Sequence, residues 1–309
     1  MKKAVPVAFL CAVVLAIAAP PHGSFAAGFS GSGSGTAGDP YIITTIEQLQ
    51  EMRNNLTAHY ALGNDIDASG TVNWNDGKGF RPVGAYANEF TGSLDGRGYK
   101  IYNLYINRSD MDYVGLFGSV GSEGVVKNVG LINVKVVGGS NVGGLVGFNN
   151  GTLSNCYSTG PVSGNGDMGG LVGYNESGTV SNSFWDAQTS GQATSDGGAG
   201  KTTENMKNVR TYTDVAWSEG LSSAWDFVGN PYDDAGNEDI WDIDPDVNDG
   251  YPFLAELAAP TVTPTTTTTS PTTTTPPVAE GAPWVWAGVG IAIVVIIAVV
   301  ALVLRGKGK

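Results

Sequence analysis

The sequence predicts an all-β fold, a right-handed parallel β-helix (solenoid), carried as an ectodomain with small capping elements and one C-terminal transmembrane helix. The first observation behind this prediction is a repeat: Asn128, Asn155 and Asn182 are 27 residues apart, and Asn103 precedes them by 25. The second is a Gly-Leu-Val/Phe-Gly phrase that recurs at nearly the same interval. The third is composition, because 45 glycines and short apolar runs without helical periodicity are typical of short strands joined by turns.

A period of this length predicts coils that stack in register and bury one continuous apolar column. The sequence places four residues in that column: Ile101, Val126, Leu153 and Val180. The asparagines are expected to form a ladder of amide hydrogen bonds. The glycines of the second phrase, which starts at Gly115, Gly144 and Gly170, are expected at tight corners or where chains approach closely. A β-sandwich with accidental self-similarity is the alternative left open.

A solenoid needs covers at both ends. The β-helix with its N-terminal cap is predicted over residues 39–186, where Thr45 and Gln48 form a capping-box pattern before an amphipathic helix through Leu49 and Met52. A C-terminal cap region is predicted over 187–257. There a brief helical turn is expected at 203–207, and the tryptophans are expected to close the end: Trp217, Trp225 and Trp241.

The amino end has the pattern of a secretory signal peptide over residues 1–26. Lys2 and Lys3 precede an apolar run that is shorter than the ~20 residues a membrane span requires. An uncleaved anchor is the alternative. Residues 27–38 are predicted to be a flexible linker.

The carboxyl end predicts a membrane anchor. Residues 258–281 are rich in Thr and Pro, as in O-glycosylated stalks. Residues 282–304 form an apolar stretch long enough for one transmembrane helix, and the basic tail at 305–309 places that end in the cytoplasm. The expected location is therefore the cell surface, as a single-pass membrane protein with an exported N-terminal ectodomain.

The charge of the predicted ectodomain excludes one class of partner. Residues 27–260 carry 28 acidic and 11 basic side chains. Nucleic acid is not expected as a partner, because binding phosphates requires clustered Lys and Arg. One cysteine, Cys156, remains after signal removal, so no intrachain disulfide is expected. Its place in the repeat favours a packed thiol over a reactive one.

The repeated phrases resemble the GLUG motif of bacterial and archaeal cell-surface proteins. Phrases of similar proteins are also matched outside the repeat, and the resemblance extends from about Asp39 to Leu254, with examples at 60–67, 90–96, 184–186 and 250–254. It implies a surface β-helix of adhesin-like character and supplies no catalytic motif.

The sequence predicts a protein that is not an enzyme. His59 is the single histidine after signal removal, and no metallopeptidase motif or nucleophile elbow is present. The catalytic candidates are Asp65, Asp67 and Asp95, because β-helix surfaces can cleave polysaccharides with paired carboxylates. Asp95 followed by Gly96 is also a common turn signal, and the turn interpretation is favoured for these acids.

Two kinds of modification or ligand site are suggested by pattern alone. Asp242, Asp244 and Asp246 alternate as in a calcium loop but lack the glycine and final acid of an EF-hand, so calcium is one alternative and a solvated acidic turn the other. Four triplets match the N-glycosylation acceptor pattern, at Asn55, Asn107, Asn150 and Asn175. No other cofactor is expected.

Together these features predict a cell-surface protein that mediates adhesion or envelope interaction by binding an extracellular glycan or a surface protein. One alternative is a structural envelope component without a specific ligand. Another is a carbohydrate-active enzyme.

Overall fold

The computed structural model describes residues 28–227 and 240–254. The predicted signal peptide, stalk, transmembrane helix and cytoplasmic tail lie outside these residues. Within the described ranges, no helix combines the length and apolar character needed to cross a membrane.

Short strands dominate the described residues. The strands are β1 (Tyr41–Ile43), β2 (His59–Leu62), β3 (Ile66–Asp67), β4 (Ser93–Asp95), β5 (Lys100–Tyr102), β6 (Tyr105–Asn107), β7 (Phe117–Val120), β8 (Val125–Lys127), β9 (Gly130–Ile132), β10 (Lys135–Val137), β11 (Val142–Gly143), β12 (Val146–Asn149), β13 (Thr152–Ser154), β14 (Tyr157–Ser158), β15 (Val162–Ser163), β16 (Met168–Gly169), β17 (Val172–Asn175), β18 (Thr179–Ser181), β19 (Phe184–Asp186), β20 (Ala199–Lys201), β21 (Trp241–Asp242) and β22 (Phe253–Leu254). The α-helices are α1 (Ile46–Glu51), α2 (Ala187–Ser190), α3 (Thr203–Met206) and α4 (Arg210–Thr213). Short 3-10 helices span Met52–Asn54, Ser69–Asn73 and Asn248–Gly250.

The strands pair in parallel with strands one coil away. The first sheet has the order β1-β2-β4-β8-β13-β18, and the second sheet has the order β3-β5-β9-β14-β19-β20. The third sheet is β7-β12-β17, and two small sheets, β6-β10-β15 and β11-β16, lie between the second and third sheets along the chain. Only β21 and β22 form an antiparallel pair among the described strands. This arrangement is compatible with a β-helix-like all-β fold.

The internal core is built from columns of equivalent residues. Val126, Leu153 and Val180 lie opposite one another in the first sheet, as the sequence predicts. Ile101 does not belong to this column, because it pairs with Leu131 in the second sheet. The 25-residue interval before Asn128 therefore joins two different columns, whereas the 27-residue intervals join equivalent positions.

The repeated asparagines occupy corners where the backbone is left-handed. Asn103, Asn128, Asn155 and Asn182 have φ of 60°, 55°, 51° and 46°. Asn tolerates this conformation better than other residues with a Cβ. Part of the predicted ladder exists, because Asn155 Nδ2 donates to Asn128 Oδ1 at 3.3 Å. Asn103 instead accepts a hydrogen bond from Asn133, which is its equivalent one coil later.

The glycines of the Gly-Leu-Val-Gly phrase are required by close approach. A Cβ added to Gly147 would lie 2.5 Å from the backbone nitrogen of Val114, and one added to Gly173 would lie 2.5 Å from that of Val142. Real Cβ atoms do not approach this closely, so these positions accept only glycine without a backbone shift. The prediction of close approach between chains is confirmed.

The predicted capping box at the amino-terminal helix is confirmed. The Thr45 side chain accepts a hydrogen bond from the Gln48 backbone and the Gln48 side chain returns one to Thr45, so α1 begins with a capping box. Within the linker predicted over 27–38, residues 28–38 make ordered contacts with the cap. Ile42 N donates to Ser32 O at 2.9 Å and Phe29 stacks on Tyr41 at 4.6 Å, so the segment extends the cap.

The tryptophan-rich region covers a sheet face instead of the end of the solenoid. Tyr157 and Phe184 lie in a second hydrophobic cluster with Trp225 and Trp241, and Trp225 Nε1 donates to Asn182 O at 2.8 Å. The physical reason is that large aromatic side chains on the outer face of the second sheet need apolar cover. Trp217 lies outside this cluster and is exposed.

A polar segment contacts the last coil where the tryptophans were expected. Ser195 Oγ accepts hydrogen bonds from Leu171 N and Val172 N, and Asp196 N donates to Val172 O. The predicted helical turn at 203–207 is confirmed as α3, which Thr202 caps.

Candidate functional site

The candidate site is an aromatic row on the outside of the third sheet, defined as Tyr86, Tyr113, Phe148 and Tyr174. Phe148 and Tyr174 are register partners in β12 and β17, and their rings stack with centroids 5.7 Å apart. Tyr86 stacks on Tyr113 at 5.1 Å, and both rings meet Phe148 edge-on at 5.3 and 5.6 Å. Four residues from four different segments therefore form one continuous row of ring contacts along the direction in which the coils stack.

Two rings of the row are exposed to solvent, unlike the side chains of the core. Tyr86 and Tyr174 keep 58% and 37% of their surface exposed, whereas Phe148 is 4% exposed. Phe148 thus acts as a buried support beneath rings that face solvent. Large aromatic side chains with one exposed face are typical of binding surfaces, where the ring supplies contact area at low cost in conformational entropy.

The backbone of Tyr113 is left-handed, a conformation that is unusual for tyrosine. Its φ is 60°, and Asn141, the residue at the same corner one coil later, has φ 53°. Among the twelve described residues other than glycine with positive φ, ten are Asn or Asp. The left-handed conformation costs most side chains about 1–2 kcal/mol, so a tyrosine here is strained where an asparagine would fit. Strain of this kind collects at functional sites.

A polar cleft continues the row at the end near the last coil. Its volume is about 490 Å³, and it is lined by Asp167, Tyr174, Gln192, Thr194, Asp196 and neighbouring residues. The Asp196 carboxylate accepts a hydrogen bond from Asn175 N at 2.7 Å. An aromatic face beside carboxylate, amide and hydroxyl groups is suited to a sugar, which offers an apolar ring face and a rim of hydroxyl groups.

The segments that carry the row and the cleft contain acids and no base. Residues 84–90, 111–120, 139–150, 165–176 and 192–196 include five acidic side chains and no Lys or Arg. The acids are Glu89, Asp112, Asp167, Glu176 and Asp196.

The carboxylates predicted as catalytic candidates serve structural roles and are separate from this site. Asp65 forms an ion pair with Lys100 at 2.6 Å, and Asp67 accepts a hydrogen bond from Ser69 N, which lowers the pKa of Asp67. Asp95 accepts hydrogen bonds from Arg97 N and Asn128 Nδ2 and pairs with Lys127. The turn interpretation is therefore supported for Asp95.

Asp242, Asp244 and Asp246 form no metal-binding cluster with other described residues. Asp242 accepts a hydrogen bond from Ile243 N, and Asp244 accepts one from Asp246 N, as in solvated turns. In residues 28–227 and 240–254, no group of three or more His, Cys, Asp or Glu side chains is arranged to hold a metal ion.

The four glycosylation triplets differ in their surroundings. Asn55 is exposed, and Asn107, Asn150 and Asn175 are half-buried. Asn150 donates to Glu176 and accepts from Ser177. Asn175 Nδ2 donates to Gly178 O while its oxygen accepts from Asn149, so its amide is part of the coil itself.

Cys156 is fully buried and is not part of any site. Its thiol donates to Ser154 O, and burial raises its pKa to about 12. The prediction of a packed thiol is confirmed.

The aromatic row was missed in the sequence, although a signal for it exists. Phe148 and Tyr174 each directly follow the last glycine of a Gly-Leu-Val-Gly phrase, and Ser119 holds that position in the preceding coil. Two aromatics at one repeat position would have indicated a shared surface. Tyr86 lies outside the period, so only the structure could bring it to the same place.

Comparison with known proteins confirms the resemblance found in the sequence. Residues 138–163 match the family model "The GLUG motif". A stretch of 142 residues is 48% identical to "Halomucin" of Haloquadratum walsbyi, covering 43% of this chain and 2% of that protein. A stretch of 155 residues is 37% identical to "Putative Gly-rich membrane protein" of Evansella cellulosilytica, covering 48% of this chain and 18% of that protein. The chain thus spans a small part of either relative, and neither name is that of an enzyme.

One solved structure has a weak likeness to this chain. It is "Crystal structure of a putative immunoglobulin A1 protease from Bacteroides ovatus", with 18% identity, a TM-score of 0.36, and coverage of 72% of this chain and 94% of that one. A likeness at that TM-score carries no argument about fold or activity.

Proposed function

We propose that this chain is a cell-surface protein whose ectodomain binds a polysaccharide through the aromatic row, and that it holds this ligand without cleaving it. The ligand belongs to the cell envelope or to the surface of another cell. The ectodomain is a right-handed parallel β-helix, anchored by one transmembrane helix at 282–304 behind the Thr/Pro-rich stalk. Any glycans of the protein itself are attached at the exposed triplet of Asn55 before the half-buried ones.

The fold supports the proposal because it presents the row in a fixed geometry. Successive strands of the third sheet are held about 4.8 Å apart by ladder hydrogen bonds. A parallel connection between strands of one sheet is right-handed in about 98% of cases, which favours the right-handed form. Phe148 is buried in the middle coil, so the solvent-facing rings of the coils before and after it are about 10 Å apart along the stack, comparable to two sugars of an extended chain.

The observation that carries the function is the exposed face of Tyr86 and Tyr174 over the buried Phe148. Aromatic side chains in contact with a ligand commonly dominate its binding energy. Binding without cleavage is favoured because the predicted catalytic candidates, Asp65 and Asp95, are held in ion pairs away from the row. Surface location is supported by a relative whose name is that of a membrane protein.

The first test is retention of the purified full-length protein on a panel of insoluble polysaccharides, with released sugar measured in the same samples. We expect retention without soluble products. Tyr174→Ala and Tyr86→Ala should each weaken binding about tenfold, which is the loss of one aromatic contact of about 1.4 kcal/mol.

A matched control is available in Trp217. This side chain is 41% exposed, is covered by Arg210 at 5.0 Å and lies outside the row. Trp217→Ala should leave retention unchanged. Equal losses in all three variants, or release of sugar by the wild type, would contradict the proposal; ordered self-assembly without retention would favour the structural envelope component.

The proposed topology has a separate test. External protease added to intact cells should digest the repeat region, since the ectodomain is exported. Protection of that region until the membrane is permeabilised would overturn the location.

A further inference from the structure

We propose that the polysaccharide bound by the aromatic row carries free amino groups, so that its sugars are cationic. This inference rests on the proposed function, because it concerns the ligand of the same surface. It follows from the charges around the row and from the hydrogen-bond partners of those charges.

The acidic side chains belong to the coils and the cleft that carry the aromatic row. Asp112 directly precedes Tyr113 in the chain, and its carboxylate accepts a hydrogen bond from Ser140 N at 2.8 Å. Glu89 accepts a hydrogen bond from Ser119, which holds the register position of Phe148 one coil earlier. Asp167 and Asp196 line the cleft together with Tyr174.

None of these acids is neutralised by a basic partner among the residues that the structure describes. The four ion pairs within residues 28–227 and 240–254 use other carboxylates, namely Asp65, Asp95, Asp110 and Asp214. The donors that reach Glu89, Asp112, Glu176 and Asp196 are a hydroxyl group, an amide side chain and backbone N–H groups. The surface therefore keeps its negative charge.

A surface with this charge selects among polysaccharides. Acidic chains are repelled, and neutral chains gain only stacking and hydrogen bonds. A sugar with an ammonium group also gains attraction from the nearby carboxylates while its ring stacks on Tyr174. The cleft supports this most directly, because Asp167 and Asp196 stand beside the exposed ring of Tyr174.

The test compares two oligosaccharides with the same backbone. The probes are the β-1,4-linked hexamer of N-acetylglucosamine and its fully deacetylated form, titrated into full-length protein at about pH 5.5, where ordinary carboxyl groups and amino sugars are both charged. We expect the deacetylated hexamer to bind about tenfold more tightly at about 0.02 M salt, and the difference to fall to about twofold or less at about 0.5 M salt, because exposed charges are screened.

Substitutions assign the preference to particular carboxylates. Asp167→Asn and Asp196→Asn should each reduce the ratio of the two affinities by about two- to fivefold, the range of exposed charge pairs. Asp76→Asn removes an exposed carboxylate outside the row and should leave the ratio unchanged.

The outcomes separate this inference from the proposed function. Equal binding of both hexamers, with loss of both in Tyr174→Ala, would overturn the cationic ligand and leave the glycan-binding row intact. Tighter binding of the acetylated hexamer would also overturn it. Failure of both hexamers and of the whole polysaccharide panel would overturn the proposed function itself.

Discussion

Tyr113 provides a test that separates the strain of the backbone from the function of the ring. The residue has φ of 60° at a corner where Asn141 has φ of 53° in the next coil. Its ring contacts Tyr86 at 5.1 Å and Phe148 at 5.6 Å. Tyr113→Asn and Tyr113→Ala both remove these contacts, but only asparagine suits the left-handed backbone.

The expected magnitudes follow from these two effects. Loss of the ring costs both variants about 0.5–1.5 kcal/mol for each aromatic contact. Asn regains part of the roughly 1–2 kcal/mol that the left-handed conformation costs other residues, whereas Ala does not. We therefore expect Tyr113→Asn to be more stable than Tyr113→Ala by about 1 kcal/mol, which in a domain of about 150–250 residues is a difference in Tm of about 2–4 °C.

The assay combines thermal unfolding with the polysaccharide retention described above. Both variants should lose retention to the same extent, about tenfold, because each removes the same ring from the row. Equal melting temperatures for the two variants would refute the reasoning about backbone strain. Full retention in Tyr113→Asn would refute the role of the ring.

Three further predictions concern the core and the acidic run. Gly144→Ala should lower the free energy of unfolding by about 1–3 kcal/mol in a denaturant titration. The reason is that the added Cβ would lie 2.6 Å from Gly170 O and would also meet Ser158 Oγ. The control is Gly38→Ala, which should be neutral because the added Cβ meets no atom within 4 Å. Burial raises the pKa of the Cys156 thiol to about 12, whereas an ordinary thiol in the unfolded chain has a pKa of about 8.5. The stability contributed by the neutral thiol is therefore fully present below about pH 8.5 and falls above it by up to about 1.4 kcal/mol per pH unit. Cys156→Ala should flatten this decline between about pH 8.5 and 10 in the same titration. Calcium chelation should leave the Tm unchanged, because the described residues form no metal-binding cluster. A fall in Tm of several degrees in the wild type, absent when Asp242, Asp244 and Asp246 are replaced by Asn, would instead establish a calcium site there.

The parts of the fold that repeat could be predicted from the sequence. The 27-residue interval identified the column of Val126, Leu153 and Val180, because equivalent residues of stacked coils must lie opposite one another. The capping box at Thr45 was also predictable, since it depends on residues three apart. The interval of 25 before Asn128 is misleading because Asn103 follows β5 of the second sheet, whereas Asn128 follows β8 of the first sheet, so the equivalent of Asn103 is Asn133.

The parts that depend on contacts between distant segments could not be predicted. Trp225 and Trp241 follow the last repeat in the chain, and position alone suggested that they close its end. Their partners are Tyr157 and Phe184, whose outward direction depends on the coil and is not visible in composition. Residues 28–38 have the composition of a linker, but Phe29 has an aromatic partner in Tyr41 that orders the segment.

The candidate site lies where the chain departs from its own repeat. The corner that holds Asn141 in one coil holds Tyr113 in the coil before it, and the position after the glycine phrase changes from Ser119 to Phe148 to Tyr174. A position that served the fold alone would tolerate the residue that the backbone prefers, which at the corner is asparagine. A strained tyrosine is retained there although a less strained choice exists one coil away. The contacts of the Tyr113 ring with Tyr86 and Phe148, each worth about 0.5–1.5 kcal/mol, offset this strain and hold the row together. The departure from the repeat therefore builds the surface that the proposed function uses.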